Sequence, residues 1–141
     1  MNSAEGREQI VAKLGELHRK FNRMQSQLLE RYHISLMEYH ILALVLKNDN
    51  ASQNDIAEAL KVDKALVSRQ IKAMEQKGLI VCRPDPECRR RNLMLPGENI
   101  PELMPALDEL HRQSLERLFD GVDENELEIF RKVLEGLIGK A

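Results

Sequence analysis

Most of the chain carries helical hydrophobic periodicity, and one short stretch leaves it. Across residues 8–32 the apolar positions Ile10, Leu14, Leu17, Phe21, Met24 and Leu28 are spaced 4, 3, 4, 3, 4. That heptad-like seam predicts a long amphipathic helix, with Val11, Leu29 and Tyr32 beside it. Gly15 is its interior breaker, at a cost of about 1 kcal/mol relative to Ala. A second helix is predicted over 35–47, where Ser35 and Glu38 form a capping box. Its run through Ile41, Leu42, Leu44, Val45 and Leu46 is too broad for a surface stripe and predicts burial on most sides. Asn48-Asp49-Asn50 ends it.

Two shorter helices follow. Ser52 caps the first, with Asp55 at the third position, and Ile56 and Leu60 share a face with the small Ala57 between them. The turn is Lys61-Val62-Asp63, in which Val62 is the expected buried residue and Asp63 a cap for what comes next. The second helix, 64–77, repeats Val67, Ile71 and Met74 at i, i+4, i+7. This spacing leaves Lys64, Ala65, Ser68, Arg69 and Lys72 on the opposite side, a face suited to phosphates and to guanine edges. Lys77-Gly78 closes the helix, since glycine takes the left-handed conformation there at little cost.

Helical periodicity stops at Leu79. Leu79-Ile80-Val81-Cys82-Arg83 reads as a strand and Pro84-Asp85-Pro86-Glu87 as a turn. Residues 92–95 return as a second strand, with 88–91 at or near the tip. A long helix then starts near Pro101 with a stripe of Leu103, Leu107, Leu110, Ser114 and Leu118. Gly121-Val122-Asp123 breaks it. A last helix, 124–139, is expected to bury Leu127, Phe130, Leu134 and Leu137, flanked by Ile129, Val133 and Ile138. The predicted fold is mainly α with a small β wing: a winged helix-turn-helix with long N- and C-terminal dimerisation helices. Its divisions fall at 1–34 (N-terminal dimerisation helix), 35–98 (DNA-binding domain) and 99–141 (C-terminal dimerisation helices).

Charge changes the picture only when it is divided by position. The chain as a whole has a formal net charge of −2. Residues 61–91 hold nine Lys/Arg against four acids, a local +5, while the remainder holds 12 against 19, a local −7. Phosphate responds to the field within a Debye length of about 10 Å, so the basic segment is what matters. The alternative is a partner-binding or adaptor protein that uses its acidic helices and has weak non-specific DNA affinity. An acidic or interrupted recognition face would mark that class, and this face is basic and intact. Catalysis finds no support: there is no Ser-His-Asp set, carboxylate pair or phosphate-cradling glycine loop, and no cofactor is expected. No apolar run approaches a membrane span, and the polar, acidic start is neither a signal nor a transit peptide, so a cytoplasmic protein without a membrane partner is expected.

The layout resembles the MarR family of bacterial and archaeal transcription regulators over nearly the whole chain. The residues that carry the resemblance are Ser52, Ile56-Ala57, Leu60, Val62-Asp63, Val67-Ser68-Arg69, Lys77-Gly78-Leu79-Ile80 and the wing from Arg83-Pro84-Asp85-Pro86 to Arg89-Arg90. It implies a homodimer on double-stranded DNA, astride a pseudo-palindromic operator, usually repressing transcription until a small-molecule or redox signal releases it. In such proteins the recognition helix enters the major groove and a wing arginine the minor groove. By motif position that arginine is Arg90, with Arg89 and Arg91 as substitutes; Ser52 and Gln53 complete the expected DNA contacts. Two departures stand out. Cys88 replaces the acid that usually braces the wing arginine, which should loosen the wing unless Asp85 or Glu87 substitutes. Leu95-Pro96-Gly97 replaces the usual Leu-Thr-x-x-Gly, which predicts a second strand shorter by one residue.

The switching signal is less legible. The family's ligand site would be lined here by residues such as Phe21, Met24, Met37 and His40, although a Met and aromatic stripe also reads as plain core. Cys82 and Cys88 share the hairpin, and the arginines around Cys88 would favour its thiolate. The plainer reading is a small buried strand residue at Cys82 and a tolerated surface residue at Cys88. His18, His33, His40 and His111 lie on different elements without metal-site spacing, so no metal ligand is assigned, although His40 and His111 could approach each other.

Overall fold

A computed structural model describes residues 2–141. Helix α1 (Ser3–Leu29) starts earlier than its hydrophobic stripe, because Asn2 and Glu5 form a capping box of their own: the Glu5 amide donates to the Asn2 side chain at 2.8 Å. A single 3-10 turn (Glu30–Tyr32) and His33 at φ 57° redirect the chain into α2 (Leu36–Lys47). The Ser35/Glu38 capping box forms as expected. Ile41 and Leu42 have no exposed surface, but Leu46 remains 37% exposed, so α2 is buried over a wide face and not all round.

Helices α3 (Gln53–Leu60) and α4 (Lys64–Gln76) are joined by the predicted tight turn, in which Lys61 takes φ 55° and Val62 packs partly buried against the core. Strands β1 (Ile80–Asp85) and β2 (Cys88–Pro96) pair antiparallel, from Ile80 opposite Pro96 to Pro84 opposite Asn92. The hairpin is longer than the sequence suggested. Its tip is Pro86-Glu87, and residues 88–91 belong to β2. The second strand is also not shortened, since Pro96 still pairs with Ile80. Gly97 explains how the departure from Leu-Thr-x-x-Gly is accommodated. Its amide donates to the Leu79 carbonyl at 2.7 Å, and a Cβ there would sit 2.1 Å from the Gly78 carbonyl oxygen. Only glycine lets the two roots of the hairpin approach so closely.

Helix α5 (Ile100–Phe119) follows, with Pro101 in its first turn as expected. Pro105 lies inside it and costs one backbone hydrogen bond. The core side of α5 is Ile100, Met104, Leu107 and Ser114, so Met104 joins the predicted stripe while Leu103, Leu110 and Leu118 lie at its margins. Ser114 is accommodated by donating its hydroxyl to the Leu110 carbonyl at 2.9 Å. One hydrophobic core runs from Leu29 and Ile34 through Ile41, Leu42, Ile56, Ile71 and Met74 to Met94 and Leu107.

The final helix, α6 (Glu124–Lys140), differs from expectation. None of its residues is buried: Leu127 and Leu134 are half-buried, while Phe130 and Leu137 are 43% and 46% exposed. An apolar stripe predicts that a helix needs a partner, and within this protomer the α6 stripe stays largely uncovered, with Phe130 sharing an open groove with Ile10, Leu14 and Leu17 of α1.

Candidate nucleic-acid interface

The placement of α4 follows from its burial pattern. Val67, Ile71 and Met74 are buried to within 1% of completely. This locks the helix rotation so that Lys64, Ala65, Arg69 and Lys72 are exposed and Ser68 is half-buried. Asp63 caps the first turn by accepting the Ala65 amide at 2.7 Å. Among the described residues, none of Lys64, Arg69 and Lys72 is engaged in an ion pair. The helix therefore presents three cations whose charge is not compensated locally.

The far end of α4 is held by Lys77, which the sequence marked only as part of the Lys77-Gly78 close of the helix. Its Nζ donates to both carboxylate oxygens of Glu38, at 2.9 and 3.0 Å, and to the His33 carbonyl at 2.9 Å. The Glu38 side chain is only 6% exposed and also accepts the Ser35 amide at 2.8 Å. One lysine thus straps the recognition helix to the cap of α2 and to the joint after α1. Nothing local in the sequence announces this contact.

In the wing, the Glu87 amide donates to Asp85 Oδ1 at 2.9 Å, so Asp85 braces the turn, and among the described residues it pairs with no arginine. The register changes between Pro84, opposite Asn92, and Asp85, opposite Cys88. Among the described residues, Arg90 and Arg91 therefore stand in a bulge without cross-strand partners. Arg90 is exposed and lines a shallow groove with Ser52, Gln53, Asn54, Cys88 and Asn92. Arg91 lies in the same groove, and its Nη2 is 2.7 Å from Asp55 Oδ2. The Arg89 side chain lies outside the described residues. Ser52 is 5% exposed and its hydroxyl accepts the Asp55 amide at 3.2 Å, so that side chain is committed to the cap of α3. Gln53, next along, is half-buried.

The expected sensor residues are brought together only in part. Of Phe21, Met24, Met37 and His40, only His40 lines the groove between α2 and α5, which also carries Tyr39, Lys47, Asp108, His111 and Leu115. Phe21 and Met24 lie half-buried on α1, and Met37 packs against the core. Tyr39 organises the groove: its hydroxyl donates to Asp108 Oδ1 at 2.8 Å, and its ring lies 5.6 Å from both the His40 and His111 rings. His111 Nδ1 is 2.6 Å from Oε1 of the buried Gln25. Burial, and then the nearness of His111, push the His40 pKa below the ordinary histidine value. Burial and the Asp108 carboxylate push the Tyr39 phenol up. Among the described residues no group of three or more His, Cys, Asp or Glu is placed to hold a metal ion.

Both cysteines are free thiols, Cys82 partly buried and Cys88 exposed. Burial and then the neighbouring Glu75 push the Cys82 thiol up to about 11. Cys82 pairs with Met94, whereas Cys88 lies opposite Asp85. Three residues of strand, about 10 Å, separate these rungs, beyond the reach of an intramolecular disulfide in this geometry.

Fold and site together define a winged helix-turn-helix with a basic recognition helix, and comparison with known proteins agrees. Residues 34–91 match the model of the MarR family. The family implies DNA binding in the regulation of transcription. The chain is 24% identical over 125 residues to the uncharacterized HTH-type transcriptional regulator YybA of Bacillus subtilis, covering 89% of this chain and 83% of that protein. Its fold superimposes on that of MepR from S. aureus, solved as a complex with DNA, with a TM-score of 0.88 at 22% identity over 93% and 97% of the two chains. It is likewise similar to a MarR transcriptional regulator from Methanosarcina mazei, with a TM-score of 0.81 at 22% identity over 94% and 96%. Among the described residues no helix is long and apolar enough to cross a membrane.

Proposed function

We propose that the protein is a sequence-specific transcriptional regulator, a repressor, that binds a pseudo-palindromic operator as a homodimer. The observation that carries this reading is the exposed face of α4, where Lys64, Arg69 and Lys72 have no acid partner among the described residues while Val67, Ile71 and Met74 fix its orientation. Lys64, Ala65, Ser68, Arg69 and Lys72 meet the major groove, and Arg90 reaches the adjacent minor groove. The backbone at Ser52 and the side chain of Gln53 approach phosphate at the start of α3. A neutral or acidic α4 face would have favoured the adaptor reading.

Dimerisation is supported by unburied apolar surface on the terminal helices. Ile10, Val11, Leu17, Ile129, Phe130, Val133, Leu137 and Ile138 are each at least 41% exposed in the protomer, more than a monomer ordinarily leaves in solvent. In this reading residues 1–34 and 99–141 join two copies and residues 35–98 hold DNA. Release follows when a small molecule enters the groove beside His40, where α2, continuous with the DNA-binding lobe through Lys77, meets α5.

The test is fluorescence anisotropy on the protein's own upstream intergenic duplex and on a scrambled duplex across a salt series. The expected result is preference for the former with two protomers per site. Weak binding without preference, seen only at low salt, would return the protein to the adaptor class.

A further inference from the structure

Within the arginine-rich bulge of the wing, Arg90 and Arg91 occupy different environments. We propose that Arg91 is a positioning residue: paired with Asp55, it fastens the bulge of the wing to the first turn of α3 and thereby aims Arg90, without itself contacting nucleic acid. This rests on the DNA-binding reading above for its functional consequence, though not for its geometry.

Among the described residues, Arg90 and Arg91 have no cross-strand partner, because Pro84 pairs with Asn92 and the next residue, Asp85, with Cys88. A bulge of that size is free to swing unless something outside the hairpin holds it. The outside contact is α3. Leu93 makes an isolated bridge with Ser52, and the Met94 amide donates to the Ala51 carbonyl at 3.0 Å. Arg91 extends this seam toward the tip, donating to Asp55 Oδ2 at 2.7 Å and to the Asn50 carbonyl at 3.4 Å. The anchor is itself fixed, since the same Asp55 oxygen accepts the Ser52 amide at 2.9 Å in the α3 capping box. Ser52 and then Arg91 hold the Asp55 carboxyl below its ordinary value, so it stays ionised at neutral pH. An arginine matched by a carboxylate brings little net charge to a phosphate and releases few counterions. Arg90 has no such acid among the described residues and lines the groove that opens toward Gln53 and Asn54.

The test compares Arg90→Gln, Arg91→Gln and Asp55→Asn in the full chain, by anisotropy on the upstream intergenic duplex across a salt series. Asp55→Asn keeps a side-chain oxygen for the Ser52 amide, so the cap survives; thermal melting checks that each variant is folded. Arg90→Gln should flatten the salt slope by about one. Arg91→Gln should weaken binding about three- to five-fold with the slope unchanged, as befits a half-exposed ion pair. Asp55→Asn should match it, and the double variant should lose nothing further. A dye on Cys88, in a Cys82→Ser background, should report a more mobile wing in both single variants without DNA. Two results overturn the inference: a slope reduced by about one in Arg91→Gln, or tighter binding in Asp55→Asn, since a free DNA-contacting arginine gains from losing a nearby acid. An unchanged dye mobility overturns it independently. If the wild type itself shows no preference for the intergenic duplex, the regulator reading fails, and the dye still decides whether the Asp55–Arg91 pair holds the wing.

Discussion

The winged lobe and the terminal helices are both built from amphipathic elements, yet they finish differently. In the lobe, every apolar stripe meets another in the same chain: Ile56, Val67, Ile71, Met74, Ile80 and Met94 are each no more than 2% exposed. In α6 and the first half of α1, stripes of equal regularity remain in solvent, as at Val11 (71%) and Ile138 (72%). Regular spacing therefore says only that a face is meant to be covered. Whether the cover comes from the same chain depends on tertiary contacts.

The largest expected effect tests this contrast directly. Ile71→Ala should destabilise the fold by about 2–5 kcal/mol through a cavity in the lobe core, measured by urea denaturation. Leu137→Asp should leave the lobe core intact and convert a dimer to a monomer in light scattering. A persistent dimer would move the interface away from α6. Next in size, Lys77→Met leaves the buried Glu38 carboxylate with the Ser35 amide as its remaining partner. It should cost about 1–3 kcal/mol in the same denaturation assay. An effect near zero would mean that the strap positions α4 without stabilising it. Arg90→Ala should weaken operator binding by about 1–3 kcal/mol if the wing reads the minor groove, and unchanged affinity at moderate salt would reject that assignment. The smallest effect is chemical. At pH 8 a maleimide should modify exposed Cys88 well before Cys82, whose thiol, raised to about 11, stays protonated. Raising the pH toward 11 should narrow the gap, because the Cys82 thiolate appears there.

What the sequence made legible was local. Ser35/Glu38 and Ser52/Asp55 announce their helices because both partners of each capping box lie within one turn. The spacing of Val67, Ile71 and Met74 predicts the exposed α4 face because helix geometry alone sets it. The contacts that position the site were not legible. Lys77 meets Glu38 across 39 residues and Arg91 meets Asp55 across 36, and neither pairing has a local signature. The wing tip was misplaced because arginine and asparagine carry no strand signal, although the backbone there continues in β2 to Cys88. Burial of α6 was overestimated because periodicity does not distinguish a neighbour in the same chain from one in another.

The pinch at Gly97 also has a mechanical consequence. Gly97, lodged against the Gly78 carbonyl, is one tie at the hairpin root beside the Leu93–Ser52 bridge and the Met94 amide on the Ala51 carbonyl, and β1 runs six residues outward from it. That arm is about 17 Å long, so a rotation of about 10° at the root carries the tip through about 3 Å. A displacement of that size is the length of a hydrogen bond, enough to lift an arginine out of a groove. A side chain at position 97 would pry that tie open and change the aim of the wing without altering any residue near its tip.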